Sequence, residues 1–467
     1  MPPIMRFNAE TMIESLACFG YRGFSTRQQL NLAVPNGAPG SGLTVLVGPN
    51  GGGKSSLVEC FNQLSFVQRN VSFSKGKRNL AAGDQVCIEI VQDGAVSFLR
   101  TVKGGSETAW TGSTTPTIYY LPSRRFFNPY FSGSGWDRNQ YLRNQPVHQF
   151  RSNSLDSYTT RLIDLNKKGA REFNEMLSRI VGKPVQWTID QEDNGQYIVK
   201  ITKQNGLHHN SDGMGEGLLS LLFIVDALCG SKEELLVIDE PELSLHPQLQ
   251  RRLLLEMLEK TKDSQVVIST HSPNMLSLAS ICNGGVVARI FDSMQGTKIC
   301  PIDERSRTFI TAVSRDMNNP HVLGTDARSC FFAEDSLIIT EGQEDVVLYP
   351  VIMQNLGMDI DLPFFGFGAG GASKIREVAY LLNVLGFKKI GAIYDGDKEC
   401  ECEAFNKEFA SAGYKAWIIP AEDIRDKEAC VTPSKTGLLL EDRKTLKSEY
   451  VETMRVLFGE IAGFLNE

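Results

Sequence analysis

A glycine-rich octapeptide places the strongest constraint on how this chain can fold. The apolar run Leu43–Val47 leads into Gly-Pro-Asn-Gly-Gly-Gly-Lys-Ser at 48–55, and a helical pattern begins at Ser56. This is the G-x-x-x-x-G-K-[ST] phosphate loop in its strand–loop–helix context, where Lys54 reaches phosphate oxygens and Ser55 offers a hydroxyl to Mg²⁺. The predicted nucleotide-binding residues are Asn50, Gly51, Gly53, Lys54, Ser55 and Ser56.

A second apolar segment carries the acids that nucleotide hydrolysis requires. The run 234–238 ends in Asp239-Glu240-Pro241, and a further strand pattern at 265–270 is followed by His271. We expect Asp239 to hold the magnesium ion and Glu240 to polarise the attacking water. The order of these segments after the phosphate loop predicts an ATPase that uses ATP and Mg²⁺.

Together these motifs resemble the ATP-binding-cassette ATPases, in the branch related to DNA-repair and chromosome-maintenance proteins. The resemblance implies that the segment from Ser211 to Glu216, with Gly213, is the signature loop that contacts the γ-phosphate bound on a partner subunit. It also implies that His271 senses the γ-phosphate. A homodimer or a higher homo-oligomer formed through the ATPase heads is therefore expected.

The C-terminal part alternates regularly between strand and helix patterns. Strand patterns at 337–340, 364–367, 390–394 and 416–419 are separated by three helix patterns, each followed by a glycine, at 357, 386 and 413. This predicts a small parallel α/β sheet, whose ligands gather at the carboxyl ends of the strands. Glu341 follows the first strand, and Asp395-Gly-Asp397 follows the third. Such carboxylates suit Mg²⁺ or Mn²⁺ chemistry on phosphodiesters.

This arrangement resembles the Toprim fold, and a Toprim module after a cassette-type ATPase is the layout of the OLD (overcoming lysogenization defect) nucleases. The resemblance implies metal ligands at Glu341, Asp345, Asp395, Asp397 and Asp423, and a catalytic lysine at Lys427 or Lys435, of which Lys435 is our assignment. Glu341, Asp395 and Asp397 would then be catalytic. The usual Asp-Leu-Glu of that family reads Asp-Ile-Arg at 423–425, which puts a second metal site in doubt.

Composition limits the remaining classes of protein. The chain has 467 residues, of which 42% are hydrophobic and 22% charged, a net charge of −7 and ten cysteines. These values are typical of a globular protein with reduced thiols, and they argue against a generally basic DNA-coating protein. We find no run of about 18 apolar residues and no secretory signal pattern, so a cytoplasmic protein without a membrane partner is expected.

The chain is therefore predicted to be an α/β protein of two domains. An ATPase domain with an antiparallel β subdomain is assigned to 1–290, with a loop and helical insert at 130–182. A linker is assigned to 291–334 and a Toprim nuclease domain to 335–467.

Three classes of function fit these patterns. The first is an ATP-gated, metal-dependent DNA endonuclease of the OLD type in antiphage defence; some relatives act with a helicase or with a retron reverse transcriptase and its nucleic acid. The second is a DNA-maintenance ATPase whose C-terminal module binds DNA or a partner without cutting. A topoisomerase or primase relative is the third, and it ranks lowest because the chain shows no further domain for a catalytic tyrosine or a primase zinc site.

Overall fold

The computed structural model describes residues 12–65, 71–102, 105–112, 115–123, 162–166, 170–191, 197–202, 208–210, 215–230, 235–314, 324–333, 335–427 and 434–466. The predicted signature-loop residues Ser211 and Gly213 lie outside these ranges, as does most of the predicted insert.

The strands are β1 (Ile13–Phe19), β2 (Gln28–Asn31), β3 (Leu43–Val47), β4 (Cys87–Gln92), β5 (Ala95–Thr101), β6 (Thr108–Thr111), β7 (Ile118–Leu121), β8 (Gln186–Gln191), β9 (Tyr197–Thr202), β10 (His208–Asn210), β11 (Leu235–Asp239), β12 (Val266–Ser269), β13 (Val286–Ser293), β14 (Gly296–Pro301), β15 (Ser336–Ile339), β16 (Lys389–Tyr394), β17 (Lys415–Ile418), β18 (Asp423–Arg425) and β19 (Gly437–Leu439). The helices are α1 (Lys54–Ser65), α2 (Arg171–Val181), α3 (Glu216–Leu228), α4 (Pro247–Lys260), α5 (Leu278–Cys282), α6 (Glu304–Ser314), α7 (Thr325–Ser329), α8 (Gln343–Asn355), α9 (Ala372–Val384), α10 (Glu399–Glu408) and α11 (Val451–Asn466).

A six-stranded sheet carries the phosphate loop. Its order is β14-β13-β3-β12-β11-β7, and the four strands from β13 to β11 are parallel to one another. All five residues of β3 are buried, as are all five of β11 and all four of β12. Such continuous apolar runs belong to strands covered on both faces, which is the environment of a parallel sheet. The predicted α/β fold with a phosphate loop is confirmed.

The sheet extends into the segment that the sequence assigned to a linker. Residues 291–301 complete β13 and form β14, an antiparallel hairpin at the sheet edge, and α6 follows at 304–314. The turn is built by Gly296 in the left-handed region at φ +90°, with Ser293 Oγ donating to the Gly296 carbonyl. The region between the two predicted domains is therefore regular structure over much of its length.

Antiparallel sheets accompany the parallel one, as expected. One has the order β2-β1-β4-β5-β6 and another the order β10-β9-β8. The first contains a hairpin at Asp93-Gly94: Gln92 pairs with Ala95, and both turn residues have positive φ, at 53° and 70°. Two residues with positive φ match the two-residue turn that suits the twist of a hairpin. The antiparallel subdomain is thus confirmed.

The C-terminal part contains the predicted parallel sheet. Its order is β15-β16-β17, and α8, α9 and α10 follow the predicted helix patterns closely. Gly357, Gly386 and Gly413 all have left-handed φ, between +67° and +76°, so the predicted role of these glycines in ending helical segments is confirmed. The expected strand at 364–367 is reduced to an isolated bridge between Ile338 and Phe364, because Gly366 and Gly368 turn the chain with φ of +49° and +84°.

A buried arginine joins the two parallel sheets. Arg289 of β13 is fully buried, and its guanidinium donates to the backbone carbonyls of Ala333 (3.2 Å), Leu385 (3.3 Å) and Gly386 (3.4 Å). It also lies 3.4 Å from the Asp335 carboxylate and stacks 4.0 Å from the ring centre of Phe387. Because a buried guanidinium without such partners would be strongly unfavourable, these contacts hold the start of β15 and the end of the α9 segment against β13.

Packing divides the chain into two compact units. One comprises Met1–Tyr120, Lys232–Asp239 and Met257–Glu467, and the other comprises Leu121–Ser231 and Glu240–Glu256. The first unit therefore contains both the phosphate loop and the C-terminal sheet. In the second, Arg179 of α2 forms a bidentate ion pair with Glu256 of α4 at 2.7 and 2.8 Å.

Among the described helices, none is long and apolar enough to cross a membrane.

Candidate functional site

The phosphate loop lies directly after the buried strand β3. Lys54, the first residue of α1, is only 5% exposed, and its ammonium donates to the carbonyls of Gly48 and Pro49, both at 2.9 Å. A Cβ at Gly48 would lie 2.2 Å from the Ile290 carbonyl oxygen, so only glycine allows the loop to approach β13 this closely. Backbone carbonyls of the loop thus fix the Lys54 ammonium in place. Lys54 also lies at the N-terminus of α1, and helix N-termini favour the binding of anions.

The other predicted nucleotide-binding residues lie around this lysine. Asn50, Gly51 and Ser55 are exposed, whereas Gly53 and Ser56 are half-buried. Exposed polar groups at the start of α1 can contact phosphates and a bound cation without displacing the core. The geometry fits the nucleotide-binding role predicted for them.

Asp239 ends its strand at the same level as the phosphate loop. The register pairs Asp239 with Ser269 and Ser269 with Leu46, so β11, β12 and β3 end together. The Ser269 hydroxyl donates to the Asp239 carboxylate in a short hydrogen bond, and Asp239 is 5% exposed. The sequence reasoning did not single out Ser269; its signal is a small polar residue at the end of an apolar strand. The pair is suited to orient a carboxylate toward Mg²⁺.

Glu240 and His271 follow the ends of the same two strands. Glu240 is 4% exposed and has φ of +51°, in the left-handed region that residues other than glycine seldom adopt. Backbone strain of this kind costs about 1–3 kcal/mol and clusters at active sites. His271, which is half-buried, lies two residues beyond β12. Both residues thus follow the carboxyl ends of strands, and their catalytic roles stay predictions.

A second group of side chains lies at the carboxyl ends of the C-terminal strands. In the parallel pair β15–β16, Ile339 is opposite Ala392, which brings the two strand ends to similar levels. The backbone N–H of Asp395 donates to Glu341 Oε1 at 3.1 Å. Two acids separated by 54 residues in the sequence are therefore in direct contact, as the strand pattern predicted.

Asp345 adds a buried carboxylate from the first turn of α8. It is 7% exposed and accepts a hydrogen bond from the Gly342 N–H at 2.9 Å, which caps the helix. Burial raises the pKa of its carboxyl from the ordinary 3.8 to about 7, against the opposing hydrogen bond from Gly342, while Glu341 and Asp423 repel its charge. The charge of Asp345 therefore interacts with those of Glu341 and Asp423.

The pKa of the Asp395 carboxyl is raised further than that of Asp345. Burial, and then repulsion from Glu341, Asp345 and Asp423, raise the pKa of its carboxyl to about 8. Burial likewise raises the pKa of Glu341, although the Asp395 N–H opposes that shift. Carboxylates crowded in this way are stabilised by a cation placed among them.

The last two predicted ligands are paired with lysines. Asp397 accepts from Lys435 at 2.8 Å and from Lys398 at 3.0 Å; burial acts to raise its pKa, but these lysines hold it below the ordinary value. Asp423 is 2% exposed and lies 2.5 Å from Lys427 Nζ and 3.9 Å from Lys435 Nζ. The structure therefore brings both candidate lysines to the acids, with Lys435 between Asp397 and Asp423.

One ion pair beside the acids was missed by sequence reasoning. Arg425 of β18 contacts Glu344 in α8 through Nε, at 2.9 Å from both carboxylate oxygens, and through Nη2 at 2.8 Å. The Lys427 ammonium lies 3.9 Å from the same glutamate. Because 81 positions separate Arg425 from Glu344 in the sequence, no local pattern pointed to their pairing.

The carboxylates at the C-terminal strand ends offer oxygen ligands to a divalent cation. Carboxylate oxygens are the ligands that Mg²⁺ and Mn²⁺ favour, and the repulsion among Glu341, Asp345 and Asp395 is what such a cation relieves. Within the described ranges, however, no three histidine, cysteine, aspartate or glutamate side chains already form a metal-binding group. The carboxylates of Glu341 and Asp395, which repel each other and have no paired cation among the described residues, fit the cation best. Asp397 would have to exchange its lysines to join them.

The middle segment of the chain is similar to known ATPase domains. Residues 116–277 match the family model described as "AAA domain, putative AbiEii toxin, Type IV TA system". The Septu protein PtuA of Bacillus thuringiensis is 23% identical over 281 residues, which cover 51% of this chain and 68% of that protein. The chain is therefore related to an AAA-type ATPase family through its middle segment.

Solved structures of SMC head domains were also found. The head domain from Thermotoga maritima aligns with a TM-score of 0.39 and 14% identity, covering 62% of this chain and 99% of that one. The head domain with an extended coiled coil, bound to the C-terminal domain of ScpA from Pyrococcus furiosus, aligns with a TM-score of 0.40 and 11% identity, covering 65% and 99%.

Proposed function

We propose that this protein is an ATP-binding and ATP-hydrolysing DNA endonuclease of the OLD type, whose C-terminal Toprim module depends on Mg²⁺ or Mn²⁺. The hydrogen bond from the Asp395 N–H to Glu341 carries the nuclease part of this proposal, since it joins the two predicted catalytic strand ends. We assign the ATPase to 1–290 together with the β13–β14 hairpin, and the Toprim module to 335–467.

The ATPase part is supported by its site geometry and by the AAA-family match. Lys54 and the start of α1 would bind the phosphates, and Asp239, oriented by Ser269, would hold Mg²⁺. Glu240 would orient the attacking water, and His271 would contact the γ-phosphate. By resemblance, Ser211 and Gly213 would complete the site on a partner subunit, so the active form is a homodimer or a larger homo-oligomer.

The nuclease part follows from the acids and lysines at the C-terminal sheet. A divalent cation held there polarises a phosphodiester and lowers the pKa of a bound water. Glu341 and Asp395 would bind the cation, and Asp345 and Asp423 would add negative charge behind it. Lys435, fixed by Asp397, would neutralise charge that develops on the phosphate. The substrate class is DNA, and the proposed setting is antiphage defence, alone or with a reverse transcriptase or helicase partner.

A second candidate is a DNA-maintenance ATPase whose C-terminal module binds DNA without cutting it. The ion pairs of Asp397 and Asp423 with lysines favour this candidate, because lysine ammonium groups occupy positions around two of the predicted metal ligands. Both candidates require the ATPase, and only the first requires hydrolysis of a phosphodiester.

The deciding experiment is DNA cleavage by the purified full-length protein. Supercoiled and linear DNA would be incubated with Mg²⁺ or Mn²⁺, with and without ATP, beside Asp395→Asn as the matched variant. The endonuclease proposal predicts nicked or linear products from the wild type only. If DNA is bound but stays intact under all four conditions, the non-cleaving candidate replaces it.

A further inference from the structure

The charged groups of the C-terminal site separate into two sets. Among the described residues, no lysine, arginine or histidine forms an ion pair with Glu341, Asp345 or Asp395, and the hydrogen bonds that the first two accept come from backbone N–H groups. The other set contains ion pairs throughout, between Glu344, Asp397 and Asp423 on one side and Lys398, Arg425, Lys427 and Lys435 on the other.

These two sets differ in what they can attract. Three carboxylates without paired cations create a strong local field for a dication. In the paired set, three carboxylates face four cations, so a second dication would find no net negative charge. Binding there would also require Arg425 to leave a bidentate pair with Glu344 that has contacts of 2.8 and 2.9 Å.

The cations of the paired set are accessible. The exposed fractions of the Arg425, Lys427 and Lys435 side chains are 28%, 37% and 26%, whereas Asp423 behind them is 3% exposed. A guanidinium presents parallel N–H donors that match a phosphate as well as a carboxylate. A nucleic-acid phosphate arriving at Arg425 can therefore replace Glu344 as its partner.

We infer that the C-terminal site binds one divalent cation, on Glu341 and Asp395, and that Arg425 with Lys427 takes the place of a second metal by binding the phosphodiester backbone of the nucleic acid. This inference rests on the proposed nuclease function, and it goes beyond it by fixing the metal count and the phosphate-binding residues. Arg425 contacts substrate in this arrangement, and Asp423 positions Lys427.

Metal stoichiometry is the first test. Mn²⁺ bound by the full-length protein without nucleotide would be counted by electron paramagnetic resonance, for the wild type and for Asp395→Asn. The expected difference is one Mn²⁺ per chain. A difference of two, or a spectrum broadened by a neighbouring Mn²⁺, would overturn the inference. This readout needs no cleavage activity.

Arg425 is tested by Arg425→Gln, with Arg455→Gln as the matched control. Arg455 is an exposed arginine of the same half that also pairs with a glutamate, Glu452, at 3.4 Å. DNA affinity would be measured with Ca²⁺ in place of Mn²⁺. We expect Arg425→Gln to weaken binding about tenfold and to reduce the salt dependence by about one phosphate contact. Its Mn²⁺ count should stay at the wild-type value.

Arg455→Gln should match the wild type in DNA affinity and in Mn²⁺ count. Equal DNA affinity of Arg425→Gln, Arg455→Gln and the wild type would contradict the role of Arg425. If Arg425→Gln unfolds, as judged by its melting temperature, Lys427→Gln provides the same comparison. Arg425→Glu, which reverses the charge, is expected to add a second Mn²⁺.

The outcomes separate the inference from the proposed function. A wild type that binds one Mn²⁺ and DNA but never cleaves would refute the nuclease and retain the one-metal site. A wild type that cleaves and binds two Mn²⁺ at the C-terminal half would retain the nuclease and refute the one-metal site.

Discussion

The phosphate loop and the acid cluster, formed by Glu341, Asp345 and Asp395, both lie at the carboxyl ends of parallel strands. The charges that the two sites present are opposite. At the first, a buried lysine begins α1, and the buried acids Asp239 and Glu240 stand at the end of β11. At the second, Glu341, Asp345 and Asp395 are grouped without a paired cation in the described structure. Both sites lie where strands end, so the difference comes from the residues that follow the strands and not from the sheet.

The difference indicates how each site obtains its metal. In the proposed function, the phosphate loop binds an anion, so Mg²⁺ would arrive together with the nucleotide phosphates and Asp239 would add one ligand. The acid cluster would bind a cation, so the metal would bind to the protein itself. We therefore expect the two sites to respond separately to mutation, to nucleotide and to pH.

The largest expected effect is that of Lys54→Ala. Removal of the buried cation that is proposed to contact the transferred phosphate should lower ATP hydrolysis by about 100- to 1,000-fold, as loss of a fixed charge-stabilising donor does in other enzymes. Mn²⁺ binding at the acid cluster should be unchanged. A phosphate-release assay and a Mn²⁺ titration measure the two properties. Loss of both would show that the sites are not separate.

Asp395→Asn is the converse change. It replaces the carboxylate proposed to bind the cation and keeps the backbone N–H that donates to Glu341. Metal-dependent DNA cleavage should fall by more than about 100-fold, since loss of even a supporting partner of a ligand costs 10–100-fold. ATP hydrolysis should be retained. Agarose gels and the phosphate-release assay measure the two activities. An Asp395→Asn protein that still cleaves DNA would contradict the metal assignment.

A smaller effect is expected on stability as pH changes. The folded state raises the pKa of Asp345 to about 7 and of Asp395 to about 8. Their contribution to the free energy of unfolding is fully present below about pH 4, the pKa of an aspartate in the unfolded chain. It is lost as the pH rises through the folded pKa values of about 7 and 8. The loss is about 1.4 kcal/mol per pH unit for each carboxyl.

The melting temperature of the wild type should therefore fall more between about pH 5.5 and 8.5 than that of Asp395→Asn. Mn²⁺ at the higher pH should restore the wild type and leave the variant unchanged. Equal pH dependence of the two proteins would show that Asp395 is not buried beside other acids.

The smallest expected effect concerns the packing between the C-terminal half and β13. Gly386 and Gly413 both have left-handed φ, at +76° and +72°, but a Cβ at Gly386 would lie 2.5 Å from a ring carbon of Phe291, whereas at Gly413 it meets nothing within 4 Å. Gly413→Ala should cost about 1–2 kcal/mol for its backbone alone. Gly386→Ala should cost about 1–3 kcal/mol more, for overpacking against β13. Chemical denaturation measures both, and equal losses would mean that the two sheets are not tightly packed.

Much of the fold could be predicted because its signals are local. The phosphate loop, the Asp93-Gly94 hairpin and the glycines that end helical segments each depend on residues within a few positions of one another. Strand ends in a parallel sheet meet by geometry, which is why the contact between Glu341 and Asp395 could also be expected.

Other features depended on distant partners or on weak local signals. The β13–β14 hairpin was missed, although Gly296 between two alternating runs is a turn signal. The strand expected at 364–367 was lost to two glycines that turn the backbone. The pairing of Arg425 with Glu344 could not be predicted, because Arg425 lies in the three-residue strand β18 and Glu344 lies in α8, 81 positions earlier.

Arg289 has a consequence for the history of the chain. Its guanidinium donates to backbone carbonyls of segments that precede β15 and β16. Substitution of the residues that carry these carbonyls does not remove the carbonyl groups themselves. Exchange of the C-terminal half for one of different backbone geometry would leave a buried charge without partners. The two halves are therefore expected to be inherited together, and a chimaera that joins this ATPase to a foreign C-terminal half should first require residue 289 to become apolar.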